Sequence, residues 1–230
     1  MALSQQHEAS DKEKLLTAFS AFIYKNRVFL ITLLVVLVLG LITLGVILSI
    51  RQSQAEKGAA LAESILETYE SWAGESDETV KEELKQKIID QAGSLTGDYP
   101  KTFAAQRALF TLAELYFNDK AYAEAAENYM KLAREYPSSY LAPVALSGAS
   151  AAYENLQDLE ASLAAAESII SSYSASLEAP RAFFTAGRLK ERLEDPEGAL
   201  ALYSDLSGKF PESSWTKLAQ DRIIVLEPVE

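Results

Sequence analysis

Side chains able to carry catalysis are few in this sequence. Its one histidine, His7, stands in the N-terminal tail, and cysteine is absent. Thiolate nucleophiles, disulfides and cysteine-held metals are thereby excluded, and imidazole chemistry is excluded from everything beyond the tail. Serine is frequent, but no Gly-x-Ser-x-Gly turn presents one as a nucleophile. Gly93 and Gly97 lack the lysine and the following helix of a phosphate loop, and they read as helix-end glycines. Carboxylate pairs such as Glu82–Glu83 and Glu124–Glu127 belong to charge runs, which helices turn toward water. No Asp-x-Asp-x-Asp loop signals calcium. The expectation is a protein that is not an enzyme, with no catalytic residue, cofactor, metal or small-molecule substrate.

The chemistry that remains is binding. Helical spacing gathers Arg107, Phe110, Glu114 and Phe117, then Ser147, Ala151, Glu154 and Asn155, then Arg181, Phe184, Arg188 and Arg192. Each group lies on the first helix of a helix pair and points away from the apolar stripe. An aromatic anchor beside guanidinium groups offers apolar contact and carboxylate pairing together. The third group therefore predicts a basic spot for an acidic-aromatic or C-terminal segment of a protein partner. Glu178, Glu191 and Glu194 lie near enough in sequence to neutralise that spot instead, so both readings stand open.

The elements that position these residues follow from a repeat. Tyr99, Tyr136, Tyr173 and Phe210 are spaced by 37 residues, and three of them precede a proline. A period of 20–50 residues marks a repeat architecture. Within one period, 104–117 and 122–135 each carry an apolar stripe at helical spacing, separated by Asn118-Asp119-Lys120. Tyr136-Pro137 ends the second helix, because the residue before proline is pushed out of the α region. Neither helix can bury its stripe alone, so the pairs must stack. Small residues at Ala113, Ser150 and Gly187 permit close helix approach, and Tyr129 and Tyr203 fill the neighbouring gap.

These positions resemble the tetratricopeptide repeat. Leu109, Leu112-Ala113, Tyr116, Ala125, Tyr129 and Pro137 match its pattern, as do Phe183, Ala186-Gly187, Lys190, Ala199, Tyr203 and Pro211. The middle copy, with Leu146, Ala149-Ser150, Tyr153, Ser162, Ala166 and Ser174, matches less closely. The resemblance implies an all-α solenoid of about four helix pairs plus a capping helix, built to bind proteins.

The chain order predicts a cytoplasmic tail at 1–27, a transmembrane anchor at 28–50, a linker helix and degenerate capping repeat at 51–98, and three 37-residue repeats with a C-terminal capping helix at 99–227. Leu15, Leu16, Phe19, Phe22 and Ile23 predict a short amphipathic helix on the membrane surface. Val28 to Ile50 is uncharged over 23 residues, about 35 Å of helix and enough to span a bilayer. Lys12, Lys14, Lys25 and Arg27 precede it, Arg51 and Lys57 follow, and the bias predicts an N-terminus facing the cytoplasm. A signal peptide has a shorter apolar core, although Ser53-Gln54-Ala55 could serve as a cleavage site. Helices are expected at 52–72, 79–95 and 212–226, the last capped by Ser213 or Ser214.

The net charge of −12 is made of +1 up to residue 50 and −13 after it, and the acidic part repels phosphate backbones, so nucleic acid is an unsuitable partner. A short inner tail, one anchor and tetratricopeptide-like repeats resemble the YfgM-like ancillary subunits of the bacterial protein translocon. That resemblance implies a single-pass protein of the bacterial inner membrane with its repeats in the periplasm, in contact with the translocon and periplasmic chaperones. The repeats also resemble the envelope-assembly lipoprotein BamD and the Tol-associated coordinator of wall synthesis. Those resemblances imply the alternative of a structural adaptor for outer-membrane or cell-wall assembly. The sequence lacks the lipidated cysteine of the first and the trimerising coiled coil of the second.

Overall fold

The fold is given by a computed structural model that describes Thr17 and residues 19–226. His7, Leu15, Leu16 and Pro228, singled out above, lie outside the described residues. The chain divides into two units, residues 1–53 and 54–230. Nine long helices follow one another among the described residues, and no strand occurs there. They are α1 (Arg27–Gly74), α2 (Glu78–Asp98), α3 (Phe103–Asn118), α4 (Tyr122–Glu135), α5 (Leu141–Asn155), α6 (Leu159–Ser172), α7 (Ala179–Arg192), α8 (Pro196–Lys209) and α9 (Ser214–Leu226).

In the first unit, residues 19–25 are helical, and the early part of α1 carries the apolar stretch. Its large apolar side chains from Val28 to Ile50 are exposed within the structure, apart from the partly exposed Leu30. Among the described residues α1 is the one helix long and apolar enough to cross a membrane, with a mean hydropathy of 3.0 over its most apolar window.

In the second unit each helix packs on the next. Residues of α1 from Gly58 onward, together with α2 and α3, share a core of Ala62, Ile65, Trp72, Ile88, Leu95, Ala108 and Leu115. Ile88 and Leu95, one period before Ala125 and Leu132, are fully buried. Further along, Leu109, Ala113, Tyr129, Leu132 and Ala149 form the next cluster. Phe183, Tyr203, Leu206 and Ala219 form the last one, against α9.

The local signals work as their chemistry requires. Asp77, Thr102, Asp158 and Asp195 each cap a helix by accepting a backbone N–H. Between the two helices of each repeat the chain passes through a left-handed residue, Lys120, Gln157 and Glu194, again 37 apart. Each time, two bonds of the Schellman type close the turn, as in Ala121 N–H to Tyr116 and Lys120 N–H to Phe117. The aromatic period has a bonding role as well. The Tyr136 hydroxyl donates to the Pro100 carbonyl at 2.5 Å, and the Tyr173 hydroxyl donates to that of Pro137 at 2.9 Å. Each of these bonds ties one repeat to the one before. One expectation needs correction. α2 runs on past Leu95 to Asp98, so Gly93 lies within the helix rather than at its end, while Gly97 stands in the last turn as expected; neither has a close neighbour.

Candidate protein-binding groove

The first helices of the three repeats, α3, α5 and α7, share a register. Equivalent positions are Phe110, Ser147 and Phe184; Glu114, Ala151 and Arg188; and Phe117, Glu154 and Glu191. The structure brings the predicted residues of the first two helices together. Phe110, Glu114, Phe117, Ser147 and Ala151 line a single cleft of about 270 Å³, with Arg181 on its far wall. A smaller cleft of about 60 Å³ adjoins it, walled by Ser147, Ala151, Glu154, Arg181 and Arg188. The two clefts share residues and form one groove along the repeats.

The floor of the groove explains why small and aromatic residues alternate. A Cβ placed on Gly187 would stand 2.5 Å from the Tyr203 ring, so this tyrosine packs against bare backbone. Tyr129 does the same against Gly148, where a Cβ would come within 2.6 Å. Sequence reasoning paired the tyrosines with Ala113 and Gly187 and missed Gly148, which lies two residues before the expected Ser150. Repeat two has Ala166 where its neighbours have tyrosine. There Ser150 and Ser162, both buried, hydrogen-bond each other at 2.9 Å, and Ser162 also donates to the Ser150 carbonyl. The missing ring leaves the smaller cleft open above Ala166.

The predicted basic spot is neutralised within the chain, only in part by the carboxylates expected: Arg181 pairs with Glu178, while Arg188 and Arg192 pair with Glu154. Glu154 receives both terminal nitrogens of Arg188, at 2.5 and 2.7 Å, and Nη1 of Arg192 at 2.7 Å. These guanidinium groups hold the Glu154 carboxyl below its ordinary range, Arg188 most strongly. Glu191 instead pairs with Arg222 of α9 and accepts the Tyr203 hydroxyl at 2.6 Å; its carboxyl is lowered chiefly by Arg222. Glu178 forms an ion pair with Arg181 at 3.7 Å, longer than a hydrogen bond. Arg107 faces Glu63 at 3.8 Å. Asn155 bonds the Ala151 carbonyl of its own helix. Phe184 is half-buried, packed between Tyr203 and Trp215, and Phe110 packs edge-on to Tyr129.

A second surface escaped the sequence reading although a signal for it was present. Phe103, Tyr140 and Leu177 follow the same 37-residue step and are all exposed, Leu177 at 97%. Phe103 and Tyr140 touch at 5.5 Å between ring centroids. All three stand at or just before helix starts, outside the apolar stripes that mark the repeat.

The arrangement can seat a protein segment. Among the described residues no three His, Cys, Asp or Glu side chains gather as metal ligands. Fold and groove together define a helix-pair repeat protein. The model of the tetratricopeptide repeat-like domain matches residues 20–147, more than half of the chain, and the chain belongs to that family. The match takes in the apolar stretch of α1 as well as the first repeat. Comparison with curated proteins gives no match. Domains of this family are generally interaction modules rather than catalysts, and the chain is accordingly a protein–protein interaction scaffold.

Proposed function

We propose that this protein is anchored in the bacterial cytoplasmic membrane by residues 28–50 and holds protein segments in its repeat groove on the periplasmic side, alongside secretion machinery or periplasmic chaperones. The observation that carries the reading is the shared register of α3, α5 and α7, which lines two adjoining clefts in part with residues that lie outside the buried core, such as Phe110, Glu114, Ser147, Ala151 and Arg181. Supporting the anchor is the uncharged run from Val28 to Ile50 with its exposed apolar side chains. Solenoid grooves bind segments weakly, and tethering to one membrane raises the effective concentration of a partner on the same surface.

The test is a photo-crosslinking amino acid placed at Phe110 in the full chain, in intact membranes, with Lys217 on the exposed side of α9 as control. Crosslinks from residue 110 to translocon subunits or periplasmic chaperones, absent from residue 217, are expected. Crosslinks to wall or outer-membrane assembly factors would move the protein to that machinery. Equal labelling from both positions, or release of the protein by carbonate, would defeat the groove and the anchor respectively.

A further inference from the structure

The three boundaries along the groove are not sealed alike. Between repeats two and three, Glu154 of α5 clamps Arg188 and Arg192 of α7. Between repeat three and the capping helix, Glu191 of α7 clamps Arg222 of α9. The equivalent boundary between repeats one and two has no clamp, because Phe117 stands where Glu154 and Glu191 stand, and Ala151 stands where Arg188 stands. At this unclamped boundary lies the larger of the two clefts described above, about 270 Å³.

Two polar groups in that cleft are left over. Glu114 has no hydrogen bond and no ion pair with any described residue. Its carboxyl is half-buried, and that burial pushes it above its ordinary range. The Tyr129 hydroxyl likewise has no hydrogen bond to a described residue, whereas its equivalent Tyr203 donates to Glu191; Phe117 stands where that acceptor would be. Phe110 and Phe117 flank these groups with aromatic rings. Arg181 stands on the opposite wall, held only by a 3.7 Å contact with Glu178.

We infer that the cleft between repeats one and two is a receptor for a lysine or arginine side chain of an extended protein segment, with Glu114 as its counter-ion. A half-buried carboxylate without an ion-pair partner gains most from an incoming cation, since Arg181 in the same cleft is paired with Glu178 instead, and aromatic rings beside it favour the same charge. The Tyr129 hydroxyl supplies a donor for a backbone carbonyl of the segment. The sign is opposite to that expected from the arginines of α7, since those are already paired. The inference rests on the groove reading above and specifies its partner as basic.

The probe is a positional-scanning library of extended nonapeptides, presented to the full chain in detergent micelles. Peptides with arginine or lysine at one fixed position should bind about 10–100-fold better than those with neutral citrulline there. Glu114→Gln keeps the shape of the side chain and should erase that preference while its thermal melting stays at or above that of the wild type. Retention of peptides without a basic preference, or a preference that survives Glu114→Gln, would overturn the inference and leave the groove reading standing. If the wild type retains no peptide at all, both fall.

Discussion

The Arg188 guanidinium grips the Glu154 carboxylate with both terminal nitrogens, across the boundary between the second and third repeats. Residues that looked like a binding spot along one helix are thus a structural clamp between two helices. Arg188→Ala should cost about 1 kcal/mol in urea melts, modest because the guanidinium is 40% exposed and screened by water. Arg188→Glu should cost more, since it sets a carboxylate against Glu154. A variant that melts like the wild type would show that the clamp contributes nothing to holding the repeats together.

The same clamps set the acid response. Glu154 and Glu191 are held below the ordinary value of 4.5 by Arg188 and Arg222 respectively. Their stabilisation is fully present above that value and is lost as pH falls through the lowered ones. Glu114 has the opposite sign. Its raised carboxyl costs stability at neutral pH and is relieved as pH falls. Melting temperature measured from pH 7 to pH 3 should drop steeply below about 4.5 in the wild type, and the drop should be shallower in Glu154→Gln. Glu114→Gln should melt higher at pH 7, with the gain vanishing in acid.

Two glycine substitutions should move stability in opposite directions. Gly187→Ala drives a methyl into the Tyr203 ring and should cost about 1–3 kcal/mol. Gly208→Ala, inside α8 with nothing near it, should stabilise by about 0.5–1 kcal/mol through reduced chain entropy. Chemical denaturation of the pair decides the matter, and equal effects would mean that Tyr203 does not sit on bare backbone.

The second helix of repeat one starts at Ala121 without a side-chain cap. Its equivalents Asp158 and Asp195 both cap, from backbone angles close to those of Ala121. Ala121→Asp should therefore add about 0.5–2 kcal/mol. An unchanged melting midpoint would show that the backbone there does not reach capping geometry.

Tyr173→Phe removes one hydroxyl bond between successive repeats and should cost about 0.5–1.5 kcal/mol in the same melts. Leu177→Ser, at a side chain wholly in solvent, should change stability by less than about 0.5 kcal/mol.

Periodicity by itself determined the all-α repeat, its 37-residue step and the helix boundaries near Tyr122 and Glu135. The reason is that a stacked pair must present apolar side chains at the same places in each copy, and proline and left-handed turns must recur with them. The apolar character of Val28 to Ile50 was legible for the same reason, being a property of residues in a row. What only the tertiary structure decided is which charges remain available. Arg188 and Glu154 are 34 residues apart, and neither helix face reveals that the two meet. Nothing local marks Glu114 as unpaired either; that follows from Phe117 and Ala151 occupying the positions that form a clamp one repeat later. Ion pairing depends on distances of a few ångströms between separate helices, and a sequence pattern records only which face of a helix each charge is on.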